Sequence, residues 1–214
     1  ASPTVAATGA DLASVFGNAK IAGKGASVVT VTNAAGSLVQ AADLKTIDAA
    51  TSKTIIVDTG AILSGNAADI HTVLDLKSAN NSTDNKIWFG NASPANPVII
   101  TGLTADHADL DAIMDNDGTP TAPLTSGTIQ VTATNVTGTA TEIDALVDLD
   151  VATAKISGLT DVNGTLTGTA AAGNTFAKIR EFEQVSSGSI TTAAAALKND
   201  QGLAAFIAAG LVAN

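Results

Sequence analysis

The segment Ala108-Asp109-Leu110-Asp111-Ala112-Ile113 returns 33 positions later as Thr141-Glu142-Ile143-Asp144-Ala145-Leu146, and Phe176 with Ile179 keeps the apolar pair after another 33. Self-similarity at a fixed period marks repeat architectures, in which each unit buries its apolar face against its neighbours. The same signal extends toward the N-terminus. Ala10-Asp11-Leu12-Ala13-Ser14-Val15 pairs with Ala42-Asp43-Leu44-Lys45-Thr46-Ile47 at 32, and Leu44 lies 66 positions before Leu110. Ala68-Asp69-Ile70-His71-Thr72-Val73 is displaced from this frame, which places a compensating insertion within residues 80–97. Leu203 and Phe206 read as a final, degenerate unit.

Within each unit the apolar pair is spaced i, i+3 and follows an acid, the pattern of a short helix whose first turn carries a charge favoured by the helix dipole. β-Branched runs precede most of these helices: Val28-Val29-Thr30-Val31-Thr32, Ile55-Ile56-Val57, Val98-Ile99-Ile100 and Ile129-Gln130-Val131-Thr132. Each unit therefore reads as strand, turn, helix and return. Strands joined by a helical crossover are parallel. The expected fold is an α/β repeat solenoid, with parallel strands alternating with short helices at a period of about 33 residues. One repeat-array domain spans 1–214, with units near 4–27, 28–53, 54–97, 98–128, 129–161 and 162–187 and a degenerate unit or cap at 188–214. Leu44, Ile70, Leu110, Ile143 and Phe176 are expected in equivalent buried positions, as are Ile47, Val73, Ile113, Leu146 and Ile179.

Composition supports thin layers over a deep core. Of 214 residues 45% are hydrophobic, but much of that share is alanine, and the chain holds five Phe, one Trp, one Met and no Tyr. Without cysteine there is no disulfide framework, thiolate zinc site or cysteine nucleophile. The net charge of −10, and the lack of any Lys or Arg between Lys86 and Lys155, exclude the basic footprint of a nucleic-acid binder. The longest nearly unbroken apolar stretch, 203–213, is about half the ~20 residues of a spanning helix, so no membrane span is expected. A start at Ala1-Ser2-Pro3 without methionine fits a mature exported chain or a cut fragment.

Two polar series follow the period. Asp115, Asp148 and Glu181 form one, and Asp117, Asp150 and Glu183 the next. Stacked carboxylates repel, and calcium is the natural counter-ion for hard carboxylate oxygens, so these six residues are the candidate metal ligands; the alternative is a solvated acidic edge. Thr132 with Thr165, and Thr134 with Thr167, form a threonine series. It reads either as a flat ice-binding-type face or as strand formers on a solvated face. Asn-x-Ser/Thr triplets occur at Asn80, Asn81, Asn91, Asn135 and Asn163.

Enzyme signatures are poor. Gly17 to Gly23-Lys24 has the wrong length for a phosphate-binding loop and is followed by Gly25 where Ser or Thr is needed. No Gly-x-Ser-x-Gly elbow occurs, and His71 and His107 fall out of phase, so neither a metal pair nor a triad assembles from the repeats. No catalytic or cofactor-binding residue is assigned, and a non-enzymatic role is expected.

The segments 131–146 and 156–170, Val-Thr-Ala-Thr-Asn-Val-Thr-Gly-Thr-Ala-Thr-Glu-Ile-Asp-Ala-Leu and Ile-Ser-Gly-Leu-Thr-Asp-Val-Asn-Gly-Thr-Leu-Thr-Gly-Thr-Ala, resemble the Thr/Ala/Gly/Asp-rich repeats of large secreted bacterial surface proteins. The likeness covers most of 9–183. It implies a structural or adhesive module of an S-layer-like coat, adhesin or self-assembling fibre, secreted or at the cell surface and often calcium-dependent. Its partners would be itself or neighbouring repeats end to end, or cell-surface glycans. The alternative is a specific binding module, for glycans in a phage or surface fibre or for ice through a threonine face. The Gly-Gly-x-Gly-x-Asp nonapeptides of calcium-binding toxin repeats are absent, so no site of that kind is carried over.

Overall fold

The structure, a computed structural model, describes residues 4–58, 60–76, 87–89, 98–115, 129–153, 156–159, 163–167 and 190–192. Along the chain run β1 (Thr4–Ala7), α1 (Gly9–Gly17), a 3-10 turn (Lys24–Ala26), β2 (Val28–Val31), β3 (Leu38–Gln40), α2 (Ala41–Asp48), β4 (Ile55–Val57), β5 (Ile62–Gly65), α3 (Ala67–Asp75) and β6 (Ile87–Trp88). They are followed by β7 (Val98–Ile100), β8 (Thr104–Asp106), α4 (His107–Asp115), β9 (Ile129–Val131), β10 (Asn135–Gly138), α5 (Ala140–Thr153), β11 (Ile156–Ser157), β12 (Asn163–Leu166) and β13 (Ile190–Thr192). The protein is α/β, with parallel strands in three sheets and α-helices between them. The β-branched runs of the sequence are strands β2, β4, β7 and β9.

The chain forms two compact units, 1–100 with 112–129, and 101–111 with 130–214. In the first, one sheet has the order β1-β2-β4-β6, and a second includes β3, β5 and β7. Register puts Val5, Val29, Ile55 and Ile87 in one row and Ala7, Val31 and Val57 in the next. Val29, Ile55 and Ile87 are fully buried, and helices α1, α2 and α3 pack successively beside one another. Alternation along a strand sends every second side chain inward, so each row is a stripe of core. In the second unit β8, β10, β12 and β13 are neighbours in that order, with Ala105 and Val136 buried in one inward row.

The helix pattern places the apolar pairs as expected. Leu44, Ile70, Leu110 and Ile143 are buried, as are Ile47, Val73, Ile113 and Leu146; Phe176 and Ile179 lie outside the described residues. In α1 the pair shifts by one residue, because Phe16 is buried and Val15 is exposed.

Two expectations are corrected. A uniform solenoid of period 33 is not confirmed, because paired residues are separated by unequal lengths of chain: Thr4 faces Val28, 24 positions on, whereas Ser64 faces Ile99, 35 positions on. The ladder demands only that strands lie side by side, and surplus length goes into loops at a cost of about 0.6 kcal/mol per doubling. The single strand per unit is also corrected. Among the described residues, two strands lie between successive helices, as with β4 and β5, or three, as with β6, β7 and β8. The extra strands are short and poor in β-branched runs, so they leave little trace in the pattern.

Close approach explains one glycine in the second unit. Gly158 has φ +88°, and a Cβ there would collide with the Val131 carbonyl. Any side chain at this corner would push the two backbones apart.

Candidate binding surface

The third sheet presents its polar side chains in register on one face. One outward row runs Thr104, Asn135, Asn163, and the next runs Asp106, Thr137, Thr165, with Thr191 following in backbone register. The buried positions between these rows are Ala105, Val136, Gly138, Gly164 and Leu166, the period-two alternation of a sheet with one wet face. Strands about 4.8 Å apart bring equivalent side chains within hydrogen-bond reach. The Thr137 hydroxyl donates to Asp106 Oδ2 at 2.8 Å, and the Thr165 hydroxyl donates to Asn135 Oδ1 at 3.0 Å. Thr134 donates to the Leu103 carbonyl at 3.0 Å. The rows are cross-braced hydroxyls, amides and a carboxylate, a surface suited to multiple weak hydrogen bonds with a polyhydroxylated ligand.

Helix starts border this face. The other oxygen of Asp106 accepts the Ala108 N–H at 3.0 Å at the start of α4. At α5, the Thr139 N–H donates to Glu142 Oε2 at 2.7 Å, and the Glu142 N–H donates to Thr139 Oγ1 at 3.3 Å, a reciprocal capping box. The Thr139 N–H holds the Glu142 carboxyl below its ordinary range; the Thr139 hydroxyl and His107 act in the same direction, against partial burial. Side-chain N-caps also occur in the first unit, where Thr8 Oγ1 accepts the Asp11 N–H of α1 and Asn66 Oδ1 accepts the Asp69 N–H of α3, with each cap side chain donating back to the acid's carboxylate. There Lys45 of α2 pairs with Asp69 of α3 and keeps that carboxyl below the usual range.

The threonine series of the sequence is re-registered. Thr165 lies beside Thr137, not Thr132, and Thr132 and Thr134 fall in the link between β9 and β10. Threonines 33 apart therefore do not stack, because this layer repeats after 28 residues. The row that does form contains Asp106, and the one beside it contains two asparagines. The missed signal was Asn-x-Thr-x-Thr-x-Thr at both Asn135 and Asn163, offset by 28. These two glycosylation triplets are strands, and the Asn135 amide oxygen is engaged by Thr165.

Of the acidic series, Asp117, Glu181 and Glu183 lie outside the described residues, as do the side chains of Asp115, Asp148 and Asp150. On the backbone, Asp148 and Asp150 lie inside α5, which continues to Thr153. Residues two apart on a helix point to different faces. Among the described residues no group of three or more His, Asp or Glu converges as a metal site. His71 lies on α3 with Nε2 3.4 Å from Asp75 Oδ2, one helical turn on, and His107 opens α4. No described helix is long and apolar enough to cross a membrane. Comparison with protein families, curated proteins and solved structures finds no match to this chain.

Proposed function

We propose that the chain is a non-enzymatic, extracellular structural or adhesive module of a bacterial surface layer, adhesin or fibre, built from repeated strand-and-helix layers of variable length. The observation that carries this reading is the pairing of apolar inner rows with hydrogen-bonded polar outer rows in register from strand to strand. Such an array spends its sequence on a regular surface, and each layer contacts only its neighbours. Calcium held by Asp115, Asp117, Asp148, Asp150, Glu181 and Glu183 belongs to the same proposal as a stabiliser of stacked layers.

A second reading, a glycan-binding segment, is favoured by the outer rows themselves. Asp106, Asn135, Thr137 and Thr165 offer acceptors and donors in a plane, the complement of sugar hydroxyls. Incubating the purified chain with bacterial envelope fragments and with a glycan array tests both. Retention on envelopes, or filaments and sheets in electron micrographs, supports the surface module. Glycan binding lost on Thr137→Val and Thr165→Val supports the second reading. Dispersed particles that bind neither overturn both.

A further inference from the structure

The hydroxyl bonds on the outer face of the third sheet share one direction. Thr134 donates to the Leu103 carbonyl, Thr137 to Asp106 Oδ2 and Thr165 to Asn135 Oδ1. Each acceptor lies 30 or 31 positions back along the chain, so every one of these protons points toward the preceding layer. A hydroxyl has one proton to give and two lone pairs with which to accept. With the proton spent inside the sheet, these threonines turn lone pairs to the solvent.

Asp106 has the same polarity. One of its oxygens accepts the Ala108 N–H and the other the Thr137 hydroxyl, which uses two of the roughly four acceptor places of a carboxylate. The residue is exposed, and Thr137 and Thr165 beside it are half-exposed. The row Asp106, Thr137, Thr165 is therefore a strip of acceptors, bordered on one side by the amide of Asn135. Charge points the same way. No Lys or Arg occurs between Lys86 and Lys155, so the charged residues of β8, α4, β10 and α5 are all acids apart from His107.

A neutral sugar fits such a strip only in part, because each of its hydroxyls brings two lone pairs for every proton. An ammonium group brings three donors, no acceptor and a positive charge. We infer that this strip recognises an amino sugar whose nitrogen is an unmodified ammonium, seated between Asp106 and Thr137, with hydroxyls of the same oligosaccharide donating to Thr137 and Thr165. The inference rests on the glycan-binding reading above and names the class of glycan. Strands about 4.8 Å apart set the three side chains in a line across the sheet, which suits an extended oligosaccharide over a single sugar. N-acetylation is the sharpest discriminator: it removes the charge, leaves one N–H and adds a carbonyl acceptor.

Calorimetric titration of the purified chain with a linear glucosamine tetramer, its fully N-acetylated form, a glucose tetramer of the same linkage and tetralysine provides the test. The glucosamine tetramer is expected to bind about tenfold more tightly than the acetylated and glucose tetramers, since charge-assisted hydrogen bonds are about twice as strong as neutral ones. That advantage is expected to shrink as salt is raised, and to vanish in Asp106→Asn, which removes the charge and keeps an amide oxygen to accept. The acetylation comparison uses the wild type alone, so it decides even where Asp106→Asn disturbs the start of α4. Equal binding of the free and acetylated tetramers, or a preference retained in a natively melting Asp106→Asn, overturns the inference and leaves the glycan reading standing. Tetralysine bound as tightly as the glucosamine tetramer overturns it as well, because charge alone then suffices. Binding of other glycans without the glucosamine tetramer overturns the inference alone, whereas binding of no glycan at all overturns the glycan reading with it.

Discussion

Ile143 shows what one side chain carries in a thin layer. It is buried on α5, and its Cγ1 lies 3.3 Å from where a Cβ on Gly138 would sit. Truncation to Ala is expected to cost about 2–5 kcal/mol, read from chemical denaturation. The Thr139–Glu142 capping box makes a different prediction. Thr139→Ala removes the hydroxyl that caps α5 and is expected to cost about 0.5–2 kcal/mol. Glu142 adds a pH dependence whose sign follows from its depressed pKa. A carboxyl held below its unfolded value of 4.5 contributes stability above that pH and loses it as pH falls through the folded value. The difference in melting temperature between wild type and Glu142→Gln is therefore expected to hold at neutral pH and to shrink below pH 4.5.

Between elements, the Lys45–Asp69 pair ties α2 to α3. Both side chains are partly exposed, 37% and 19%, so the bond is a register pin more than a source of stability. A double-mutant cycle with Lys45→Met and Asp69→Asn is expected to return about 0.2–1 kcal/mol of coupling, falling as salt is raised. The helices were legible in the sequence because burial at Leu44 and Ile47, or Ile70 and Val73, writes an i, i+3 pattern behind an acidic first turn. The strands β2, β4 and β7 were legible because both their faces are rich in β-branched residues, and β9 because Ile129 and Val131 flank its one outward residue, Gln130. The strands β3, β5, β8, β10 and β12 were not, since each is three or four residues long and rests on neighbours 24–35 positions away. Register explains the misread threonine face too: an offset found in helices says nothing about strands whose connecting loops differ in length. Asn33, which blocks the β3 edge, has no sequence signature because its partners are backbone groups.

Across the whole chain, an excess of ten negative charges must be accommodated at neutral pH. If carboxylates of the two series, Asp115, Asp148 and Glu181 or Asp117, Asp150 and Glu183, bind calcium in the folded state alone, binding raises stability by about 2.7 kcal/mol at a hundredfold excess over the dissociation constant. The melting temperature is then expected to rise more with millimolar calcium than with sodium at matched ionic strength. Replacing Asp115, Asp148 and Glu181 with Asn, Asn and Gln should erase that difference. Equal shifts in the two salts would assign these residues to a solvated edge.

The unequal register offsets reach into mechanics. In the first unit each strand is held by hydrogen bonds to strands 24–35 positions away along the chain, so a pull on an end loads one layer before the next. Extension at about 3.4 Å per residue converts these offsets into release steps of about 80–120 Å. Optical-tweezers traces are expected to show several such steps of unlike size in place of one large rupture. A surface material made of such chains would yield by degrees under shear, giving up length layer by layer and rewinding when the load falls.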